Sequence, residues 1–114
     1  MTITHYSFGK IVVNGNEYTA DLIVFPDSVF TSWWRKQGHS LCMEDLAEVF
    51  KRDIDILIVG TGAYEKMVVP ESLIDELRSK GIETFVSDTE KAISLFNQFV
   101  QEGKKVAGAV HLTC

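Results

Sequence analysis

The chain has 114 residues, of which 46% are hydrophobic and 24% charged, and its formal net charge is −5. This length and composition predict one folded domain over residues 1–114 and exclude a disordered chain. The negative charge argues against nucleic acid or an anionic membrane as a partner, and no apolar run approaches the ~20 residues needed to span a bilayer.

The N-terminal half is predicted to begin with a β-ribbon. Lys10–Val13 and Glu17–Phe25 are strand-like runs, and the Asn14-Gly15 pair between them favours a tight hairpin turn. Val29–Arg35 follows as a third extended segment. The ribbon is expected either to add antiparallel strands to a larger sheet or to pack on it as an extra layer.

The middle of the chain supplies the predicted centre of the fold. Apolar residues at helical spacing predict an amphipathic helix over residues 43–52, with Phe50 on its buried stripe and Asp45 on its solvent face. The apolar run 54–59 then predicts a strand buried on both faces, which ends at the Gly60-Thr61-Gly62 turn.

The second half alternates helices and strands. The predicted elements are a helix between Pro70 and Gly81, a strand Ile82–Val86, a helix between Asp88 and Gly103, and a strand Val106–His111. Ser87 and Glu90 have the spacing of a capping box for the second of these helices. Crossover helices of this length favour parallel strands. The predicted class is therefore α/β: a central mixed sheet with a parallel βαβαβ half, an N-terminal β-hairpin ribbon, and helices packed on the sheet.

Five short motifs in a fixed order give the chain a family resemblance. They are Phe8-Gly9-Lys10, Trp33-Trp34-Arg35, Gly38-His39, Val59-Gly60-Thr61-Gly62 and His111-Leu112-Thr113-Cys114. The chain resembles the adipogenesis-associated Mth-type domain family, whose relatives include a mitochondrial assembly factor for respiratory complex I. The resemblance implies a mixed-sheet α/β domain with no established reaction. Because no Arg-rich presequence is present, we expect an uncharacterised microbial member in the cytoplasm.

The end of the central strand is the predicted ligand site. In α/β sheets, ligands usually bind beyond the carboxyl ends of parallel strands. The residues expected there are Gly60, Thr61, Gly62, Ser87, Asp88 and His111. The turn does not match a dinucleotide fingerprint, because position 65 is Glu and the next helix begins only near Pro70. The alternative is a tight turn that uses glycine for its backbone freedom alone.

Trp33, Trp34 and Arg35 form the predicted partner-binding segment. Adjacent residues of an extended segment point to opposite faces, so one tryptophan is expected in the core and the other in solvent. An exposed aromatic residue beside arginine is typical of binding hot spots. The alternative is that a second layer covers both tryptophans.

Two His-x-x-Cys units, His39 to Cys42 and His111 to Cys114, raise the question of a metal site. Structural zinc motifs usually pair Cys with Cys and His with His at short spacing, so no metal is predicted. A Cys114–His nucleophile would need its base within reach, and His111 is not expected to face Cys114 along an extended chain. Two cysteines are too few for a disulfide framework, which suits a reducing cytoplasm.

Together these observations predict a non-catalytic domain that binds a protein partner, in assembly or regulation. No set of acid, base and nucleophile is evident, so an enzyme is not favoured and no cofactor is predicted. Self-association is compatible with the sequence. The alternative function is a small-molecule or anion-binding protein, or an enzyme, that uses the crevice at Gly60-Thr61-Gly62.

Overall fold

Strands and helices alternate along the chain much as the sequence predicts. The computed structural model describes residues 1–114. The eight strands are β1 (Ile3–Ser7), β2 (Lys10–Val13), β3 (Asn16–Tyr18), β4 (Leu22–Val24), β5 (Val29–Phe30), β6 (Ile56–Gly60), β7 (Glu83–Ser87) and β8 (Val106–Val110). The helices are a 3₁₀ turn (Met43–Leu46), α1 (Ala47–Phe50), α2 (Glu71–Ser79) and α3 (Thr89–Gln101).

The main sheet has five strands in the order β5-β4-β8-β6-β7. Strand β6 pairs in parallel with both β7 and β8, which confirms the parallel half, while β4 pairs with β8 in antiparallel fashion. The first three strands form a separate antiparallel sheet in the order β1-β2-β3. The predicted α/β class with a central mixed sheet is therefore confirmed. None of the helices combines the length and the apolar character that crossing a membrane would require.

Strand β6 is buried along its whole length, because layers cover both faces of the main sheet. Leu57 and Val59 point into a core formed with α1 and α2. Ile56 and Ile58 point into the opposite core, which α3 and the small sheet complete. Close packing of α3 depends on Gly108 in β8, where an added Cβ would lie 3.0 Å from Cδ1 of Phe96. The alternation of apolar residues in β6 thus divides one run between two cores.

The hairpin prediction is confirmed, but the ribbon differs from expectation at both ends. Asn14 and Gly15 adopt φ values of 49° and 81° between β2 and β3. An additional strand, β1, precedes them. The predicted strand Glu17–Phe25 is two strands, β3 and β4, in different sheets. The chain bends at Ala20 between these strands, and Asp21 then turns its carboxylate toward the C-terminal segment.

The structure corrects three further predictions: the length of one extended segment, the form of one helix and the N-cap of α3. The extended segment Val29–Arg35 is a strand only at Val29–Phe30, because Ser32 bends it with a φ of 54°. The helix over 43–52 is a 3₁₀ turn followed by one turn of α-helix. Its Asp45 is buried rather than solvated, and its Phe50 is exposed. The N-cap of α3 is Asp88 rather than Ser87, since Asp88 accepts a hydrogen bond from the amide of Lys91.

Candidate functional site

The Gly60-Thr61-Gly62 turn leaves the carboxyl end of β6, but its donors are already engaged. The amide of Thr61 donates to the carbonyl of Ser87 at 2.9 Å, and its hydroxyl donates to the same carbonyl at 3.0 Å. The amide of Gly62 donates to Oγ1 of Thr89 at 2.9 Å. An anion bound at this turn would have to displace bonds that hold the strand ends together.

The last four residues of the chain, 111–114, close over this turn, and we call them the C-terminal tail. The amide of Ala63 donates to the carbonyl of Thr113 at 2.7 Å, and that of Lys66 donates to the carbonyl of Cys114 at 2.9 Å. Gly62 has a φ of 105°, and an added Cβ would lie 2.5 Å from the carbonyl carbon of Cys114. The glycine is therefore required both for its backbone conformation and for the space that the tail occupies.

The residues predicted to bind a ligand are brought together at the strand ends. The amide of His111 donates to the carbonyl of Gly60 at 3.0 Å, and Ser87 and Asp88 continue from the neighbouring strand β7. However, none of the three depressions in the protein surface is lined by the glycine turn or by His111. The largest, about 430 Å³, lies along α3 and includes only Ser87 of the predicted set.

A buried polar cluster lies beside the turn, and its centre is Asp21. Leu22 pairs with Val110 across the β4–β8 ladder, so one residue further along Asp21 lies opposite His111. Oδ2 of Asp21 lies 2.7 Å from Nδ1 of His111 and 2.8 Å from Nη2 of Arg35, and Oδ1 accepts from the amide of Leu112 at 2.8 Å. Burial by itself raises the pKa of Asp21, but these three hydrogen bonds outweigh it and hold the pKa below its usual value.

Arg35 joins this cluster to the loop that carries His39. Its Nε and Nη2 both donate to the carbonyl of Gly38, at 3.2 and 3.0 Å, and its guanidinium carbon lies 4.8 Å from the ring centroid of Trp33. Nη1 of Arg35 is the only buried side-chain nitrogen or oxygen without a hydrogen-bond partner. The side chain is thus buried and structural, so it does not form part of the surface predicted to contact a partner.

His39, His111 and Cys114 meet where the Gly38-His39 turn touches the tail. Their ligand-forming atoms all lie within 4.8 Å of one another, and Sγ of Cys114 lies 3.5 Å from Nε2 of His39. His111 and Cys114, which cannot be assumed to face each other on an extended chain, lie together here, where the amides of Ala63 and Lys66 bond the tail. Cys42, the remaining residue of the two His-x-x-Cys units, lies outside this cluster and contacts Asp45.

The two adjacent tryptophans separate as opposite faces require. Trp33 is only 5% exposed and donates its indole N–H to the carbonyl of Asp45 at 2.8 Å. Trp34 is 75% exposed. Of the segment Trp33-Trp34-Arg35, only Trp34 presents its side chain to solvent.

Two residues of the site were not found from the sequence. Thr89 links the turn to the tail, since its hydroxyl accepts from the amide of Gly62 and donates to the carbonyl of His111 at 2.6 Å. For Asp21 the sequence did contain a signal of a polar site, because in an extended run its carboxylate lies on the same face as the apolar Ile23 and Phe25. Nothing in the local pattern of Thr89 distinguishes it from an ordinary first residue of a helix.

Fold and site together define a small mixed-sheet α/β protein whose strand ends are covered by its own C-terminal tail. The chain belongs to the family described as protein of unknown function DUF498/DUF598, whose model matches residues 3–111. The resemblance drawn from the five sequence motifs is confirmed by this match and by the relatives described next.

One curated relative is the Danio rerio protein named NADH dehydrogenase (ubiquinone) 1 alpha subcomplex assembly factor 3. It is 31% identical over 110 residues, which cover 94% of this chain and 61% of that protein. The chain therefore spans about three fifths of the length of this relative.

Solved structures share the fold at lower identity. A conserved hypothetical protein from Pyrococcus horikoshii is 23% identical and superposes with a TM-score of 0.82 over 100% of both chains. A Mth938-like domain from Bordetella pertussis is 20% identical, with a TM-score of 0.72 over 97% of this chain and 85% of its own. These similarities establish the fold.

Proposed function

We propose that this protein is a non-catalytic module that binds a protein partner, in assembly or regulation, through exposed apolar side chains around its C-terminal tail. These side chains are Phe8, Trp34, Tyr64 and Val68, and we call them the apolar rim. They are 57%, 75%, 70% and 58% exposed, respectively. The observation that carries the proposal is that these large apolar side chains are exposed on segments bonded to the tail or to residues that contact it, because a group of exposed apolar side chains marks an interaction site.

Backbone contacts place Phe8 and Tyr64 next to the tail. Gly9, which follows Phe8, donates its amide to the carbonyl of Leu112 at 2.9 Å. Ala63, which precedes Tyr64, bonds to Thr113, and the rings of Phe8 and Tyr64 lie 6.1 Å apart between centroids.

The other two rim residues approach the tail from the loop that carries His39. Val68 donates its amide to the carbonyl of His39 at 2.7 Å. Trp34 immediately precedes Arg35, whose Nη2 lies 3.2 Å from Nδ1 of His111. Because the backbone that carries these side chains is already hydrogen-bonded, a partner that covers them needs to order little additional backbone.

The chemistry of the partner follows from the charge and from the named relative. A net charge of −5 disfavours nucleic acid and anionic lipid, which leaves a protein surface as the best match for an apolar rim. The assembly-factor name of the Danio rerio relative supports a protein partner, although this chain spans only part of that protein. A second copy of this chain would satisfy the same rim. The two free cysteines support a cytoplasmic setting.

The alternative, a ligand-binding crevice at Gly60-Thr61-Gly62, has weaker support. Its backbone donors are bonded within the chain, and the tail fills the space above Gly62. We assign no reaction, because no base with oxyanion donors faces an open cavity.

The test is recovery of the partner with variants of the rim. The tagged chain would be expressed at its natural level in its own host, cross-linked briefly and purified, as wild type and as Trp34→Ser and Tyr64→Ser. Phe50→Ser is the matched control, since Phe50 is an exposed aromatic residue on α1, before the amino end of β6. We expect one protein, which mixing of two tagged copies would identify as self or non-self, to be recovered with wild type and control but lost from both rim variants. Equal recovery with all four chains, or no protein at stoichiometric amounts, would overturn the proposal.

A further inference from the structure

We propose that His39, His111 and Cys114 form a binding site for a zinc-type divalent cation at the C-terminal tail. Two imidazoles and one thiolate are the ligands that Zn²⁺ prefers, and three protein ligands are the number found where a fourth position stays open. His39 comes from the Gly38-His39 turn, while His111 and Cys114 are the first and last residues of the C-terminal tail, so the fold brings together two distant parts of the chain.

The distances are close to those of a tetrahedral site. With Zn–N near 2.0 Å and Zn–S near 2.3 Å, neighbouring ligand atoms of a tetrahedron lie about 3.3–3.6 Å apart. Sγ of Cys114 already lies 3.5 Å from Nε2 of His39. The widest separation among the three ligand atoms is at most 4.8 Å. His39 is exposed on a turn, so its side chain has room to adjust when a cation binds.

His111 has the second contact that metal-binding histidines usually have. Its Nδ1 lies 2.7 Å from the carboxylate of Asp21, and the tautomer that donates from Nδ1 to this carboxylate carries its lone pair on Nε2. Asp21 is itself held by Arg35 and by the amide of Leu112. The carboxylate contacts both the guanidinium and the imidazole, whose Nη2 and Nδ1 atoms lie 3.2 Å apart, so it offsets the positive charge of Arg35 next to the site. A buried histidine that is paired with a half-buried carboxylate and lies within 4.8 Å of a cysteine sulfur distinguishes this site from a cluster of exposed side chains.

The same three residues are less suited to nucleophilic catalysis. A thiolate that attacks a carbonyl needs backbone donors to hold the developing oxyanion. The nearest amides, those of Gly62 and Ala63, donate to Thr89 and Thr113. Metal binding requires only lone pairs. When the cation binds, the thiol of Cys114 loses its proton to solvent, and both imidazoles bind as neutral ligands, so the charge of the site rises by one.

The experiment uses the whole chain alone, reduced and stripped with a chelator, so it does not depend on the proposed partner. It is titrated with Co²⁺, whose thiolate charge-transfer and d–d absorption report sulfur ligation and tetrahedral geometry, and then with Zn²⁺ in competition. We expect one equivalent of Co²⁺ to give both bands and Zn²⁺ to abolish them. His39→Ala and Cys114→Ser should weaken binding at least tenfold while circular dichroism stays unchanged, since neither residue belongs to a helix or strand.

The chain provides a matched control for each ligand type. His5→Ala and Cys42→Ser remove a histidine and a cysteine that lie outside the cluster, so both should bind Co²⁺ like wild type. Asp21→Asn should weaken binding by about 10- to 100-fold through the loss of the second contact to His111. Absence of the charge-transfer band in wild type, its loss in Cys42→Ser, or its persistence in Cys114→Ser would overturn the proposal.

Discussion

Gly62 lies directly against the backbone of Cys114, so close that an added Cβ would approach its carbonyl carbon to 2.5 Å. The contact links the end of the central strand to the last residue of the sequence, 52 positions later. It explains why the strand-end turn carries no open crevice: the tail occupies the space that a ligand would use. The polar cluster around Asp21 contacts the tail, and so do the residues next to Phe8 and Tyr64 of the apolar rim.

Gly62→Ala should therefore destabilise the protein by about 3 kcal/mol or more, since positive φ and a backbone clash act together. Gly15→Ala is the matched control, because Gly15 also has a positive φ, 81°, but nothing lies within 4 Å of its added Cβ. That control should lose only about 1 kcal/mol. Urea denaturation of both variants measures the difference, and equal losses would show that the tail does not pack as described.

Asp45→Ala should cost about 2 kcal/mol of the free energy of unfolding. Its carboxylate accepts hydrogen bonds from the amides of Lys36 at 3.1 Å and Cys42 at 3.0 Å, and its loss leaves both donors without a partner. Glu44→Ala, one residue earlier, removes only an exposed ion pair with Lys36 and should change stability by less than about 0.5 kcal/mol. If both variants unfold at the same urea concentration, Asp45 does not have this bridging role.

Replacement by alanine should lower the free energy of unfolding strongly at Trp33 and hardly at all at Trp34. Trp33→Ala opens a cavity in the core and removes the indole bond to Asp45, so a loss of about 3–5 kcal/mol is expected. Trp34→Ala should stay within about 0.5 kcal/mol of wild type in chemical denaturation, because its side chain is largely in solvent. A large loss for Trp34→Ala would mean that the rim stabilises the fold rather than being available for binding.

Cys42 should alkylate slowly and only at high pH. Burial, followed by the hydrogen bond with Asp45, raises the pKa of its thiol, which lowers the thiolate fraction at neutral pH. In a Cys114→Ser background, the rate of reaction with iodoacetamide should rise with pH through an inflection above that of free cysteine. An inflection at or below the value for free cysteine would contradict the described contact between Cys42 and Asp45.

Local sequence patterns predicted the elements but not the cluster. Strand β6 and the Asn14-Gly15 hairpin are specified by a few neighbouring residues, and both were found. Asp21 and His111 meet only because β4 inserts antiparallel beside β8, and no local pattern encodes that register. The same long-range pairing places the two halves of the run Glu17–Phe25, which the local pattern predicts as one strand, in different sheets.

The Gly60-Thr61-Gly62 turn shows a second limit of prediction from the sequence. A strand that ends in Gly-Thr-Gly is as compatible with a ligand crevice as with a tight turn, and only the position of the tail separates the two. Thr113 and Cys114 follow the last strand, and this pattern does not predict where the tail packs. Its docking depends on backbone bonds to Ala63 and Lys66, which the sequence of neither segment reveals.

Native mass spectrometry of the protein drawn gently from its own host tests the central claim, partner binding, most directly. We predict a stoichiometric complex whose added mass is that of a protein, and the complex should dissociate when Trp34 and Tyr64 are both replaced by serine. A bound zinc ion would appear as a separate small increment and leave this result unaffected. A chain that appears only at its own mass, or with a small organic molecule alone, would contradict the proposed function.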